Sequence, residues 1–231
     1  IYYKNSSGEE KKYDANGNII YTKESDGLEN WTEYDSEGKV IHEKYSDGYE
    51  VCLFPCECMF LNVNRPEHDV YALDFLPVTA QGAPMTHMPV YAPFTGTIVY
   101  TGNDHNCILQ SNNKVHTPSG LKYVRVLVAH SDNSPPAVSS EFRQGLKYYE
   151  TGNYGYSFGE HLHMEVALVD DTSVRLWNQG GIGLYNGVHM WEALYVNDTR
   201  LLRTGSYNWQ EWNGPTPPPS RKKEKEESLL T

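Results

Sequence analysis

Apolar and polar side chains alternate along Gly159-Glu160-His161-Leu162-His163-Met164-Glu165-Val166, the period of two expected of a half-buried β-strand. In such a strand His161 and His163 share one face and Leu162 and Met164 the other. One side is imidazole and the other hydrocarbon. The apolar run from Val124 to Ala129 reads as a second strand, closed by His130. Glycines at 152, 155 and 159 interrupt strand-like sequence and predict a tight loop leading into the His-x-His strand. Residues 171–187, rich in Gly and Asn, read as a loop. Met190 to Val196 reads as a short helix or a closing strand.

The first fifty residues repeat. Tyr13-Asp14-x-x-Gly17-x-x-Ile20-x-x-Lys23-x-Ser25-Asp26-Gly27-x-Glu29 recurs twenty-one residues later as Tyr34-Asp35-x-x-Gly38-x-x-Ile41-x-x-Lys44-x-Ser46-Asp47-Gly48-x-Glu50. A partial copy, Ile1 to Glu10, precedes them, so the natural polypeptide is expected to extend upstream. Each unit carries two turn signals around short β-branched and aromatic segments, the pattern of stacked hairpins. Units of this kind bury their faces on one another and build a stalk. The pattern loosely resembles the tyrosine-aspartate (YD) repeats of large bacterial surface and toxin proteins.

Composition favours strands and turns over helices. Eighteen tyrosines stand against six phenylalanines, with 19 glycines and 13 prolines. A mean hydropathy of -0.62 is low for one compact globule and predicts repeat, loop or tail alongside a core. The formal charge of -11 argues against a nucleic-acid backbone as partner. No run of eighteen apolar residues offers a membrane span. Ile1-Tyr2-Tyr3-Lys4 is not the start of an export signal, and a chain that begins inside a repeat need not show one. Cys52, Cys56, Cys58 and Cys107 lack a Cys-x2-Cys pair, so they neither form a structural zinc motif nor decide the redox compartment.

Two imidazoles on one strand face suit a metal site, where one ligates and the other handles a proton. From residue 51 onward further motifs join them in a fixed order: Tyr71-Ala72-Leu73-Asp74-Phe75, Pro89-Val90-Tyr91-Ala92-Pro93-x-x-Gly96-Thr97-Ile98-Val99, Ala129-His130-Ser131, and Gly159-Glu160-His161-Leu162-His163-Met164-Glu165. Over residues 60 to 170 this order resembles the lysostaphin-type, or LytM-like, zinc metalloendopeptidases, which cut peptide bridges or stems of bacterial peptidoglycan. The resemblance implies an all-β, antiparallel metallopeptidase domain with a groove. It implies zinc held by a histidine, an aspartate and the second histidine of His-x-His.

Carried onto this chain, the aspartate is Asp74 and the second histidine His163. The family's usual first histidine falls at Val70, and His68, six residues before Asp74 and of matching strand parity, takes that role, with His87 as its rival. His87 lies in an insertion, around Ala83 to Met88, that is expected to form a rim loop where it contacts substrate. His130 and His161 correspond to the residues that move a proton or hydrogen-bond the developing oxyanion, their roles undivided. Glu165 is a candidate to orient a ligand. Tyr154 and Tyr156 are expected to line a narrow groove for a flexible, small-residue peptide. His105, His116 and His189 match no family ligand and read as surface or loop residues.

The expected organisation is a hairpin-repeat stalk over 1–50, the metallopeptidase domain over 51–213, and a proline-rich linker with a charged tail over 214–231. The setting implied is extracellular, at the cell envelope or in a phage virion, where a tail tip opens the wall. Partners are then peptidoglycan peptide and neighbouring tail or repeat subunits. A different class of function is a binding or plugging module that kept the fold and lost catalysis, for which the displaced first histidine is the main support. A zinc deaminase is excluded, since no Pro-Cys-x-x-Cys follows a His-x-Glu.

Overall fold

A computed structural model of the chain describes residues 1–23, 29–34, 36, 38, 40–45, 47–56, 58–61, 71–79, 81–181, 183–195 and 200–203. His68, Val196, the 214–231 tail and the Trp209 and Trp212 segment lie outside the described residues.

The repeats form one antiparallel meander of five strands in chain order: β1 (Tyr2–Lys4), β2 (Glu10–Tyr13), β3 (Ile19–Lys23), β4 (Glu29–Tyr34) and β5 (Val40–Tyr45). The register shifts between Lys12 and Tyr13 against β3, and again between Glu33 and Tyr34 against β5, so Tyr13 and Tyr34 each follow a bulge in the pairing. Asp14 then closes the turn, accepting hydrogen bonds from the backbone N–H of Asn16 (2.8 Å) and of Asn18 (2.9 Å).

Twelve further strands and one helical turn complete the fold: β6 (Cys58–Leu61), β7 (Leu73–Pro77), β8 (Pro89–Tyr91), β9 (Gly96–Thr101), β10 (Cys107–Ser111), β11 (Val115–Thr117), β12 (Gly120–Ala129), β13 (Glu141–Phe142), β14 (Lys147–Glu150), β15 (Leu162–Val169), β16 (Gly187–Val188), α1 (Met190–Ala193) and β17 (Arg200–Arg203). The main sheet runs β13-β9-β10-β12-β15-β7-β6-β17, with β11 beside β12 and β16 beside β15. Its pairings are antiparallel except β6 with β17. The short β8–β14 pair stands apart as a second layer. The protein is all-β with antiparallel sheets, as its tyrosine-rich, turn-rich composition requires.

Strand alternation divides the side chains between two faces. On one face Leu162, Met164 and Val166 join Val124, Val126 and Val128, Leu73 and Phe75, and the β8–β14 residues Val90, Tyr148 and Tyr149 in the principal core. On the other, Ala167, Leu127 and Ile108 pack under Leu184, Leu176 and Trp177 of the 171–187 segment. That segment is a loop that serves as a lid on the second face. Arg125, within the run read as apolar, is fully buried and grips the lid. Its guanidinium donates to the carbonyls of Thr172 (2.9 Å), Val174 (2.9 Å) and Arg175 (2.7 Å), and Nε donates to Gln110 (2.9 Å).

The N-terminal sheet meets the main fold through a buried polar joint. Gln144 Nε2 donates to the carbonyls of Val51 (2.6 Å) and Pro93 (2.9 Å), while its Oε1 accepts from the N–H of Glu43 in β5 (3.0 Å). Cys52 and Cys107 are buried free thiols; burial raises Cys52 and pushes Cys107 up to about 12.

Candidate metal centre

β7 and β15 are neighbours, and their register sets His163 directly opposite Asp74. His163 Nδ1 lies 3.1 Å from Asp74 Oδ1. His161, one residue before β15 and bridged to Gly152, places Nε2 at 3.7 Å from the same oxygen. The side chains are largely enclosed, at 12% exposure for Asp74 and His161 and 14% for His163. His130, immediately after β12, brings its ring to 4.7 Å from that of His161 and 5.8 Å from that of His163, centroid to centroid. Four of the five family-implied ligand and proton-handling residues thus converge from three segments; the fifth, His68, lies outside the described residues.

Hydrogen bonds assign the tautomers. His161 Nδ1 faces the Gly159 carbonyl at 2.7 Å and carries hydrogen there, while Nε2 is turned toward the Asp74 carboxylate. His163 sits between Asp74 and Glu165, whose Oε1 is 3.5 Å from Nε2. Burial opposes charge on His163, but its hydrogen bonds to Asp74 and Glu165 outweigh it and lift its pKa to about 9. Two zinc ligands about 2.0–2.1 Å from an ion at the tetrahedral angle stand roughly 3.3 Å apart, close to the separation of Asp74 and His163. Imidazole and carboxylate donors in an electronegative, enclosed setting fit zinc. Glu165, its second oxygen fixed by the Leu184 N–H at 2.9 Å, fits the carboxylate that orients a ligating imidazole.

His130 is held differently. Its backbone is left-handed, φ +78, a costly conformation for a non-glycine residue. The Gly152–Tyr154 turn embraces it: Nδ1 donates to the Tyr154 carbonyl (2.8 Å), and the Tyr154 N–H returns a bond to the His130 carbonyl (3.0 Å). Gly152 is required by close approach. A Cβ there would lie 2.5 Å from the His130 carbonyl oxygen and 2.5 Å from the Asp132 nitrogen. Burial lowers the His130 pKa, so the ring is held neutral with Nε2 as its available base.

Beside these residues runs a groove of about 440 Å³ walled by Tyr100, Asp104, Trp177 and Glu165 and reaching His130 and His163. Tyr154 stacks flat on His105, centroids 3.6 Å apart. His105 in turn faces the Ser131 carbonyl through Nδ1 (2.8 Å). His105 therefore braces the turn that holds His130, a role its isolated position in the sequence did not signal. Tyr156 is 83% exposed and meets Phe158 edge-on, outside the enclosed groove wall, whereas Tyr148 and Tyr149 belong to the core. His116 pairs with Asp47 (2.7 Å) at the N-terminal joint, and His189 stacks on Trp191. His87 does not approach Asp74. It faces Asp132, Glu150 and Glu160.

No family model matches the chain. Among solved structures it is similar to the catalytic domain of the antimicrobial peptidase lysostaphin from Staphylococcus simulans, at 20% identity over 52% of this chain and 80% of that one, with a TM-score of 0.34. It is similar also to a zinc-containing peptidase from Vibrio cholerae, at 16% identity over 72% of this chain and 55% of that one, with a TM-score of 0.37. Among curated proteins it is 23% identical over 126 residues to Morphogenesis protein 1 of Bacillus phage B103, and the match takes in 53% of this chain but 34% of the phage protein. The chain thus spans about a third of the length of that relative.

Proposed function

We propose that this chain is a zinc-dependent endopeptidase that hydrolyses cross-bridge or stem peptides of bacterial peptidoglycan, working at the cell envelope or from a phage virion. The observation that carries this reading is the convergence of His161, His163 and His130 on one carboxylate, Asp74, at the head of an open groove. Similarity to a phage morphogenesis protein supports the virion setting.

Asp74 and His163 would hold zinc, with His68 as third ligand. Bound there, zinc supplies Lewis acidity to a scissile carbonyl and to water at neutral pH. His130, neutral with Nδ1–H committed to Tyr154, presents Nε2 to accept a proton and later return it to the leaving amine. His161, anchored by Gly159, is placed to hydrogen-bond the developing oxyanion once protonated at Nε2. Glu165 fixes the His163 ring. The groove walls, aromatic at Tyr100 and Trp177 and acidic at Asp104 and Glu165, would orient an extended peptide across the site.

The test is release of new amino groups from purified peptidoglycan by zinc-loaded wild type, His163→Ala and His68→Ala. Release by wild type and its loss in both variants is expected. No release from walls of several chemotypes despite bound zinc would overturn the reading and favour a binding module of the same fold.

A further inference from the structure

We propose that His87, Asp132 and Glu160 form a second divalent-cation site on the rim of the groove, separate from Asp74 and His163, suited to zinc or a similar transition-metal ion. One donor atom from each residue lies within 4.8 Å of the others. His87 Nδ1 is 3.8 Å from Asp132 Oδ2 and 3.8 Å from Glu150 Oε1. These separations are too long for hydrogen bonds and somewhat wider than those of ligands sharing one ion, so small side-chain rotations close the set.

Each carboxylate is already aimed. Glu160 uses Oε1 to accept the His87 N–H (2.8 Å) and the Thr151 hydroxyl (2.5 Å), which leaves Oε2 for a ligand. Asp132 uses Oδ1 for the Asn153 N–H (3.1 Å), which leaves Oδ2. Charge points the same way. Three carboxylates surround one imidazole, and among the described residues their one lysine or arginine partner is Lys147, at 2.7 Å on Glu150. Asp132 and Glu160 have no lysine or arginine partner among the described residues, and a cation held between them and His87 would be stabilised by both carboxylates.

The donor chemistry selects the ion. One imidazole nitrogen with two carboxylates and room for water matches zinc-type coordination; calcium and magnesium take oxygen alone. At 51% exposure for His87 and 43% for Asp132, the ion would exchange with solvent. Its place in the fold gives it a purpose. Asp132 follows His130 by two residues and Glu160 precedes His161, so one ion ties the insertion before β8 to the backbones of both proton-handling histidines.

The existence of this site does not depend on the endopeptidase reading, and one titration separates the two. Zinc alone is added to metal-free full-length wild type, His163→Ala and the double variant His87→Ala/Asp132→Asn, and bound metal is counted after dialysis. Two zinc per chain are expected for wild type and one for each variant, with Glu160→Gln weakening the second equivalent at least tenfold. Equal zinc in wild type and the double variant would overturn the rim site. Equal zinc in wild type and His163→Ala would instead count against the Asp74–His163 centre and leave the rim site standing. His87 and Asp132 are exposed side chains, and circular dichroism of the apo double variant matching wild type verifies that the loss is of ligands.

Discussion

His163 and Asp74 are direct cross-strand partners, β15 to β7, with Nδ1 and Oδ1 3.1 Å apart. Neither can shift without dragging a core strand, because the alternate residues Leu162, Met164 and Phe75 are fully buried. The pair is therefore pre-positioned by the hydrophobic core. Replacing Asp74 by Asn should keep the fold and lower zinc affinity and peptidoglycan hydrolysis by at least about 100-fold, measured by zinc titration and amine release. Unchanged zinc affinity would remove Asp74 from the ligand set.

Glu165→Gln tests orientation apart from ligation. The amide keeps the bond from the Leu184 N–H but loses the negative charge beside His163 Nε2. Zinc affinity should drop by about 10–100-fold while the melting temperature without metal moves little. Equal affinity would assign Glu165 to packing alone.

Gly152→Ala addresses His130 without touching its side chain. The new Cβ meets the His130 carbonyl at 2.5 Å and forces the turn away. Displacement on the order of 1 Å costs on the order of 100-fold in turnover, so kcat should fall far more than zinc binding does. Equal loss of both, or of neither, would refute a proton-handling role positioned by this turn.

Arg125→Met removes a buried guanidinium and strands the three lid carbonyls it serves. The cost should be about 3 kcal/mol, read by denaturant unfolding. Protease nicking within residues 171–181 should accelerate. Nicking unchanged from wild type would show that the lid is held by Trp177 and Leu184 packing instead.

The joint between the N-terminal sheet and the main fold carries a pH signature. His42 of β5 lies 3.3 Å from Glu50, which also accepts the N–H and hydroxyl of Thr95 (2.6 Å each). The Glu50 carboxylate beside it raises the His42 pKa. Burial resists ionisation of Glu50, yet the neighbouring His42 and the bonds from Thr95 bring its pKa down. Stability from His42 is complete below its ordinary 6.5 and is lost as pH rises through the raised value. That from Glu50 is complete above its ordinary 4.5 and is lost as pH falls through the lowered one. The His42 and Glu50 contributions together are therefore constant between these values, and His42→Gln should reduce the alkaline limb, the remainder belonging to His163 with its pKa lifted to about 9. An alkaline limb of unchanged size in the variant would show that His42 contributes nothing to it.

Patterns with a fixed local period were readable before any coordinates. The parity of His161 and His163, the strand ending at His130 and the hairpins of the Tyr-Asp repeats all follow from rules acting over a few residues. The convergence of Asp74 and His130 on that strand was legible through motif order. What stayed hidden depends on pairings between distant segments. Arg125 stayed unmarked inside a run read as apolar because the lid carbonyls it serves lie about fifty residues away. His105 carried no motif, and its use is visible once Tyr154 lies against it. His87 read as a rival ligand from its insertion between Asp74 and Val90, and its acidic neighbours Asp132 and Glu160 stayed hidden because they are far from it in the chain.

Gln144 gives the N-terminal repeats a mechanical meaning. A flexible tether would leave the N-terminal sheet free to swing, whereas a side chain bonded to β5, Val51 and Pro93 at once ties that sheet to the main fold, so the two are expected to reorient together.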